Sequence, residues 1–307
     1  MTLLKLRRTL VTLATVAAAA ATFPAVATAA GDGNQVTTFS TADRAAALAY
    51  WTPERMKAVG ADSTDRVEQV AKPWTGAVPK GVGRLFFTEA APGEAEQDSW
   101  CTATAVPSAT GDVVITAGHC AYGGLNREDQ VIQVHKSVFV PGYEQGRQPH
   151  GVFAARALAF RDSYPTGSEP DVAMVVLDPQ RGQHVATVAG TQQVSFDHKG
   201  KTRAGIVGYP GSKAFFGESP EWCDLSVQQS TDTLGHWQSS CDLAGGASGG
   251  PWFANFSPAT GTGLIFSVTS RGTTDVDETT GEPETLDLEG APLDEAAHAL
   301  YDAAGKL

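Results

Sequence analysis

Hydrophobic positions change rhythm three times along the chain. Thr9 to Phe23 is one apolar run, preceded by Lys5, Arg7 and Arg8 and followed by Ala27-Thr28-Ala29. A basic start, a run shorter than the roughly 20 residues of a bilayer span, and a small-x-small site predict a signal peptide over residues 1–29. Arg7-Arg8 is compatible with twin-arginine export as well as the general route. Residues 30–80 are Ala-rich and polar. There, Ala42 to Trp51 has helical spacing, and Thr52-Pro53 opens a second short helix through Arg55, Met56 and Ala58. Two such helices bury little alone, so this stretch reads as a pro-segment or N-terminal extension ending near Pro79-Lys80-Gly81.

From residue 81 to 307 the pattern becomes short apolar runs set between Gly, Pro, Asp and Ser. They include Arg84 to Phe87, Cys101 to Val106, Val113 to Thr116, Ser137 to Val140, Val172 to Leu177, Gly205 to Tyr209, Trp252 to Ala254 and Leu264 to Val268. With no long helix between them, these runs predict an all-β domain, an antiparallel sandwich or barrel. Leu293 to Tyr301 has helical spacing and closes the domain with a C-terminal helix.

Composition agrees, since 33 Gly, 17 Pro and only 18% charged residues suit a turn-rich β protein. Loss of residues 1–29 leaves 19 basic against 34 acidic residues, a net charge of −15. Nucleic acid is therefore not an expected partner, nor is a membrane once the signal is gone. A monomer is expected.

All four cysteines lie downstream of the signal. An even number in an exported chain suggests disulfides, with metal binding as the competitor. No two cysteines show a two-residue ligand spacing, and they fall into sequence-local couples, which pairs Cys101 with Cys120 and Cys223 with Cys241. The acidic run Asp275 to Glu282 places its glycine one position later than a calcium-binding EF-hand loop requires. No essential metal or cofactor is expected.

Three motifs carry chemistry. Gly245-Gly246-Ala247-Ser248-Gly249-Gly250-Pro251 sets a serine in a glycine-dense turn, where backbone amides can surround a developing oxyanion. Thr116-Ala117-Gly118-His119-Cys120 puts a histidine at a strand end beside a cysteine, the only one of seven histidines in such a context. Glu169-Pro170-Asp171 heads the apolar run Val172 to Leu177, so Asp171 is poised for burial and needs a partner. Asp162 and Asp178 are rivals, but neither heads an apolar strand. The chain order His, Asp, Ser separates serine-hydrolase folds from one another.

On these motifs the region from about residue 82 to 307 resembles the trypsin-like serine peptidases. With the Ala-rich leader and Tyr50-Trp51-Thr52-Pro53, it is similar to secreted actinobacterial members and to bacterial glutamyl endopeptidases. The resemblance implies two six-stranded β-barrels, with His119 and Asp171 in the first and Ser248 in the second. It also implies a peptidase acting on protein or peptide substrates through an acyl-enzyme, with Ser248 as nucleophile, His119 as base, Asp171 as its orienter and the amides of Gly246 and Ser248 as the oxyanion hole. One departure is Ala247, since digestive trypsin-like enzymes carry there the Asp that receives a new N-terminus. A zymogen would need another control.

Asp242 stands six residues before Ser248, where trypsin-like enzymes place the carboxylate of the primary pocket. With Ser267 as a further pocket residue, this implies a preference for Arg or Lys. Cys241, seven residues before the serine, suggests that the local path differs. Glutamyl endopeptidases use a pocket-strand histidine that Leu264 to Ser270 lacks, so selectivity for Glu is not expected. Two other readings are weighed. Gly246 to Gly250 also fits the Gly-x-Ser-x-Gly elbow of esterases, but that fold wants its Asp and His after the serine, and only His298 follows. A catalytically silent binding module would retain the fold without the turnover.

Overall fold

Strands that are apolar on both faces need cover on both sides. The computed structural model describes residues 27–307 except positions 32, 62, 64 and 67; most of the stretch read as a signal peptide lies outside the described residues. The strands are β1 (Ala27–Gly31), β2 (Asn34–Thr38), β3 (Lys72–Pro73), β4 (Val82–Ala90), β5 (Gln97–Ala105), β6 (Val113–Thr116), β7 (Gln133–Pro141), β8 (Phe153–Arg161) and β9 (Ala173–Leu177). They continue with β10 (Gln193–Val194), β11 (Lys201–Gly208), β12 (Glu221–Gln229), β13 (Trp237–Ser239), β14 (Pro251–Ser257), β15 (Thr262–Val276) and β16 (Pro283–Pro292). Four α-helices, α1 (Thr41–Tyr50), α2 (Pro53–Ala58), α3 (Val185–Ala189) and α4 (Glu295–Ala304), and two 3-10 turns, Gly118–Cys120 and Tyr164–Thr166, complete the described elements.

Pairing runs β4 to β5, β6, β9, β8 and β7, and β7 returns to β4, all antiparallel. A second circuit runs β11 to β12, β13, β16, β15 and β14, and back to β11. These are two closed six-stranded barrels, the architecture the resemblance implies. Closure leaves neither barrel an open edge of its own.

Strand periodicity explains why the runs are apolar throughout. Leu85 and Phe87 point into the first barrel's own core, while Phe86 between them joins a cluster shared with the second barrel and the helices. On β9, Val175 and Leu177 face the barrel interior and Met174 and Val176 the shared cluster. The second barrel repeats this, with Trp252 and Ala254 inward and Phe253 outward. One apolar cluster thus spans both barrels and the helices, and its burial contributes roughly 25 cal/mol per Å² of apolar surface removed from water.

The N-terminal segment is built onto both barrels. β2 extends the first sheet along β8, and β3 pairs with β12 of the second. Ser40 caps α1 with a reciprocal Asp43 box, and Thr52 caps α2 ahead of Pro53. Trp51 and Met56 are buried in the shared cluster. α4 lies against β8 and β9 through Leu300 and Ala297.

Candidate active site

β6 and β9 are neighbours with Thr116 opposite Ala173, which brings the residues just after β6 beside those just before β9. His119 sits in the 3-10 turn Gly118–Cys120 that follows β6. Its Nδ1 lies 2.8 Å from Asp171 Oδ2, and its amide donates to Asp171 Oδ1 at 2.8 Å. Ser270 on β15 donates its hydroxyl to Asp171 Oδ2 at 2.7 Å, so the carboxylate joins the two barrels. The Asp171 side chain is 12% exposed and that of His119 39%, leaving the imidazole open to a reactant.

The electrostatics follow from these contacts. Burial works against charge on Asp171, but the hydrogen bond and charge of His119, with Ser270 adding, hold its carboxyl below the ordinary range. Burial likewise disfavours protonated His119, yet Asp171, with Glu89 adding charge, raises its pKa above the ordinary value. An imidazole that can receive a proton while a carboxylate holds its other nitrogen is the orientation that a base needs.

Ser248 is half-buried in the turn between β13 and β14, fixed from both barrels. Its carbonyl accepts from the Thr102 amide on β5 at 2.8 Å. The Gly249 amide donates to the Thr269 carbonyl at 2.7 Å, and the Thr269 amide donates to the Gly250 carbonyl at 2.8 Å. Thr102 Oγ1 donates to the Gly246 carbonyl at 3.0 Å and accepts from the Tyr209 amide. Gly249 has φ +76°, and a Cβ there would collide with Thr116 Oγ1 and the Thr102 carbonyl. The turn thus packs directly on the Thr116-Ala117 stretch that leads into His119. Gly246, at φ +91°, would with a Cβ strike the Trp100 indole. Among the described residues, the Gly246 and Ser248 amides have no carbonyl partner.

Both expected disulfides are present. Cys101–Cys120 ties β5 to the turn that carries His119, and Cys223–Cys241 ties β12 to the segment before Ser248. Cys101, His119 and Cys120 lie close enough to suggest a metal site, but the two sulfurs are bonded to each other.

Asp242 and Ser267, the residues expected in a primary pocket, are both buried and hydrogen-bonded within the protein. Asp242 is 5% exposed and accepts from the amides of Gln69 (2.6 Å), Val70 (2.9 Å) and Ala71 (2.8 Å). Its oxygens therefore hold the main chain of the N-terminal segment, which leaves no free carboxylate for a substrate cation. Ser267 is fully buried and donates to the Ala291 carbonyl at 2.8 Å. Sequence reasoning passed over Ser270, Thr102 and Trp100. Ser270 ends an apolar strand run, and Trp100 adjoins Cys101, but neither position is distinctive without the partner it meets.

No protein-family model and no curated protein matches the chain. Among solved structures, the protease Anisep from Arthrobacter nicotinovorans is 25% identical with a TM-score of 0.62, covering 78% of this chain and all of that one. The thermostable serine protease AL20 from an extremophilic microorganism is also 25% identical, with a TM-score of 0.59 over 74% of this chain and 98% of that one. A Glu endopeptidase shares the fold at 18% identity and a TM-score of 0.56, over 79% of this chain and 99% of that one. Two closed barrels and these neighbours together give this chain the trypsin-like fold of bacterial serine proteases.

Proposed function

We propose that the chain is a secreted serine endopeptidase in which Ser248, His119 and Asp171 form the catalytic triad. The observation that carries this reading is the hydrogen-bonded set Ser270, Asp171 and His119 beside a serine turn held from both barrels. Ser248 Oγ attacks the substrate carbonyl carbon as His119 Nε2 takes its proton, and the oxyanion receives the Gly246 and Ser248 amides. Collapse breaks the C–N bond, and His119 gives the proton to the departing amine. A water then attacks the acyl-Ser248 ester, its proton passes to His119 and on to Ser248 Oγ, and the acid product leaves. Asp171 holds the Nδ1–H tautomer throughout.

Two disulfides fit an oxidising compartment, and no described helix is long and apolar enough to cross a membrane. With the signal-like residues 1–29, these features support export, with residues 30–80 as an N-terminal extension or pro-segment before the peptidase domain. The pocket strand Leu264 to Ser270 has no histidine, which supports a specificity other than for Glu. A fluorophosphonate probe located by peptide mapping tests the reading: labelling of Ser248 in the parent and none in His119→Ala is expected. An enzyme that cuts peptides without ever being labelled at Ser248 would overturn it.

A further inference from the structure

Residues 58–60 and Ser63 of the N-terminal segment lie across from Trp100, which adjoins Gly246 at the proposed reaction centre. The Trp100 indole packs against Gly246 on one side, and its Nε1 donates to the Tyr209 carbonyl at 2.8 Å. On another side it meets Gly60, where a Cβ would sit 2.9 Å from Cη2. Between them lies a hollow of about 370 Å³ lined by Ala58, Val59, Gly60, Ser63, Asp98 and Trp100.

The segment is held there firmly. Trp51 is 2% exposed and donates through Nε1 to the Lys136 carbonyl at 2.7 Å, and Met56 is fully buried. Buried Arg84 donates to the Val59 carbonyl at 3.0 Å while its guanidinium lies 4.4 Å from the Trp100 ring centre. Further along, the Lys213 amide donates to the Asp65 carbonyl and Asp242 takes the amides of residues 69–71.

The position of the hollow identifies what would enter it. In the proposed mechanism His119 returns its proton to the departing amine, so residues after the scissile bond lie on the His119 side. Trp100 precedes Cys101, which is bonded to Cys120, the neighbour of His119. Charge narrows the choice further. Asp98 lies at the rim, but its oxygens are taken by the Tyr50 hydroxyl and Arg55, each at 2.7 Å, so no unpaired charge awaits a basic residue. What remains is an indole, small aliphatic side chains, main chain and a single hydroxyl, that of Ser63.

We infer that the N-terminal segment stays with the working enzyme and, with Trp100, forms a leaving-group subsite for an apolar side chain in the first two residues after the cleaved bond. This rests on the peptidase reading above. It gives the segment a part in selecting substrate, which a released pro-segment would not have.

The test uses the full chain and paired peptides of identical acyl side, chosen from a mixed library, with Leu or Gly at those two positions. The kcat/KM ratio of Leu to Gly peptide is independent of the folded fraction, and a value of about 10 or more is expected, as for filling a hydrophobic pocket. Ala58→Trp, which fills the hollow, should bring the ratio near one. Lys57→Trp, on the same helix but at a side chain turned towards Gly146 and outside the hollow, should leave it as in the parent. A parent ratio near one, an Ala58→Trp ratio like the parent's, or the full ratio in an active form that begins after residue 73 would each overturn the inference. No cleavage of any peptide would instead strike the peptidase reading beneath it.

Discussion

Asp171 and Asp242 are both buried carboxylates, one joining the two barrels and the other tying the N-terminal segment to the second barrel, and they differ in what they hold. Asp171 accepts from a histidine side chain, the amide of that histidine and a serine hydroxyl. Asp242 accepts from three consecutive main-chain amides of the N-terminal segment. The first set contains a titrating group with an exposed face and can take part in proton transfer. The second contains none and can only fix a chain path. Burial of an acid therefore says that partners exist, and the kind of partner decides between chemistry and framework.

The largest test of this contrast is Asp171→Asn, which should lower kcat by about 10⁴ through the wrong imidazole tautomer, with the melting temperature much less affected. Asp242→Ala should do the reverse. Three amides lose their acceptor, but of these residues only Ala71 is buried while Gln69 and Val70 can turn to water, so a loss on the order of 1–3 kcal/mol is expected in denaturant unfolding. If Asp242→Ala folded normally but lost all turnover, the assigned division between the two acids would be wrong.

Removing either disulfide as a double alanine variant should cost about 3 kcal/mol in the chain-entropy account. Only the Cys101–Cys120 pair adjoins His119 and Trp100, so it should lower turnover of the folded fraction more than loss of Cys223–Cys241. Equal turnover in the two variants would remove that asymmetry.

The smallest effects are in pH. With Asp171 raising the His119 pKa, the acid limb of kcat/KM should lie above the ordinary histidine value of about 6.5 and drop in Asp171→Asn. Near Asp242, burial and then the neighbouring Glu68 push Glu221 up to about 8. An acid raised on folding binds its proton more tightly in the fold. Its contribution is complete below the ordinary carboxylate range and is lost as pH climbs towards about 8. Stability should fall over that interval, and Glu221→Gln should flatten the decline; superimposable profiles for the two proteins would exclude this assignment.

Much of this arrangement was legible in the chain. His119, Asp171 and Ser248 stood out because each ends or heads an apolar run or sits among glycines, and both disulfides followed from the local spacing of the cysteines. The α1 stretch was visible from its spacing, as was α4. β8 was harder, because Phe153–Arg161 is Ala-rich with arginines inside it, and only its pairing with β2, β7 and β9 makes it a strand. β12 and β16 mix polar and apolar positions because one face of each is exposed in part. The partners of Asp242 are hidden for a related reason. Its spacing from Ser248 carries no trace of residues 69–71, some 170 positions away, whose amides it holds. A separation of 99 positions likewise hides Ser270 from Asp171.

The serine turn takes hydrogen bonds from β5 in one barrel and β15 in the other, and each barrel also has an apolar interior of its own. Sliding one barrel a small distance against the other would break those bonds while sparing both interiors. Heat inactivation should accordingly run ahead of the loss of far-ultraviolet circular dichroism, and the gap between the two curves would measure how tightly the halves are docked.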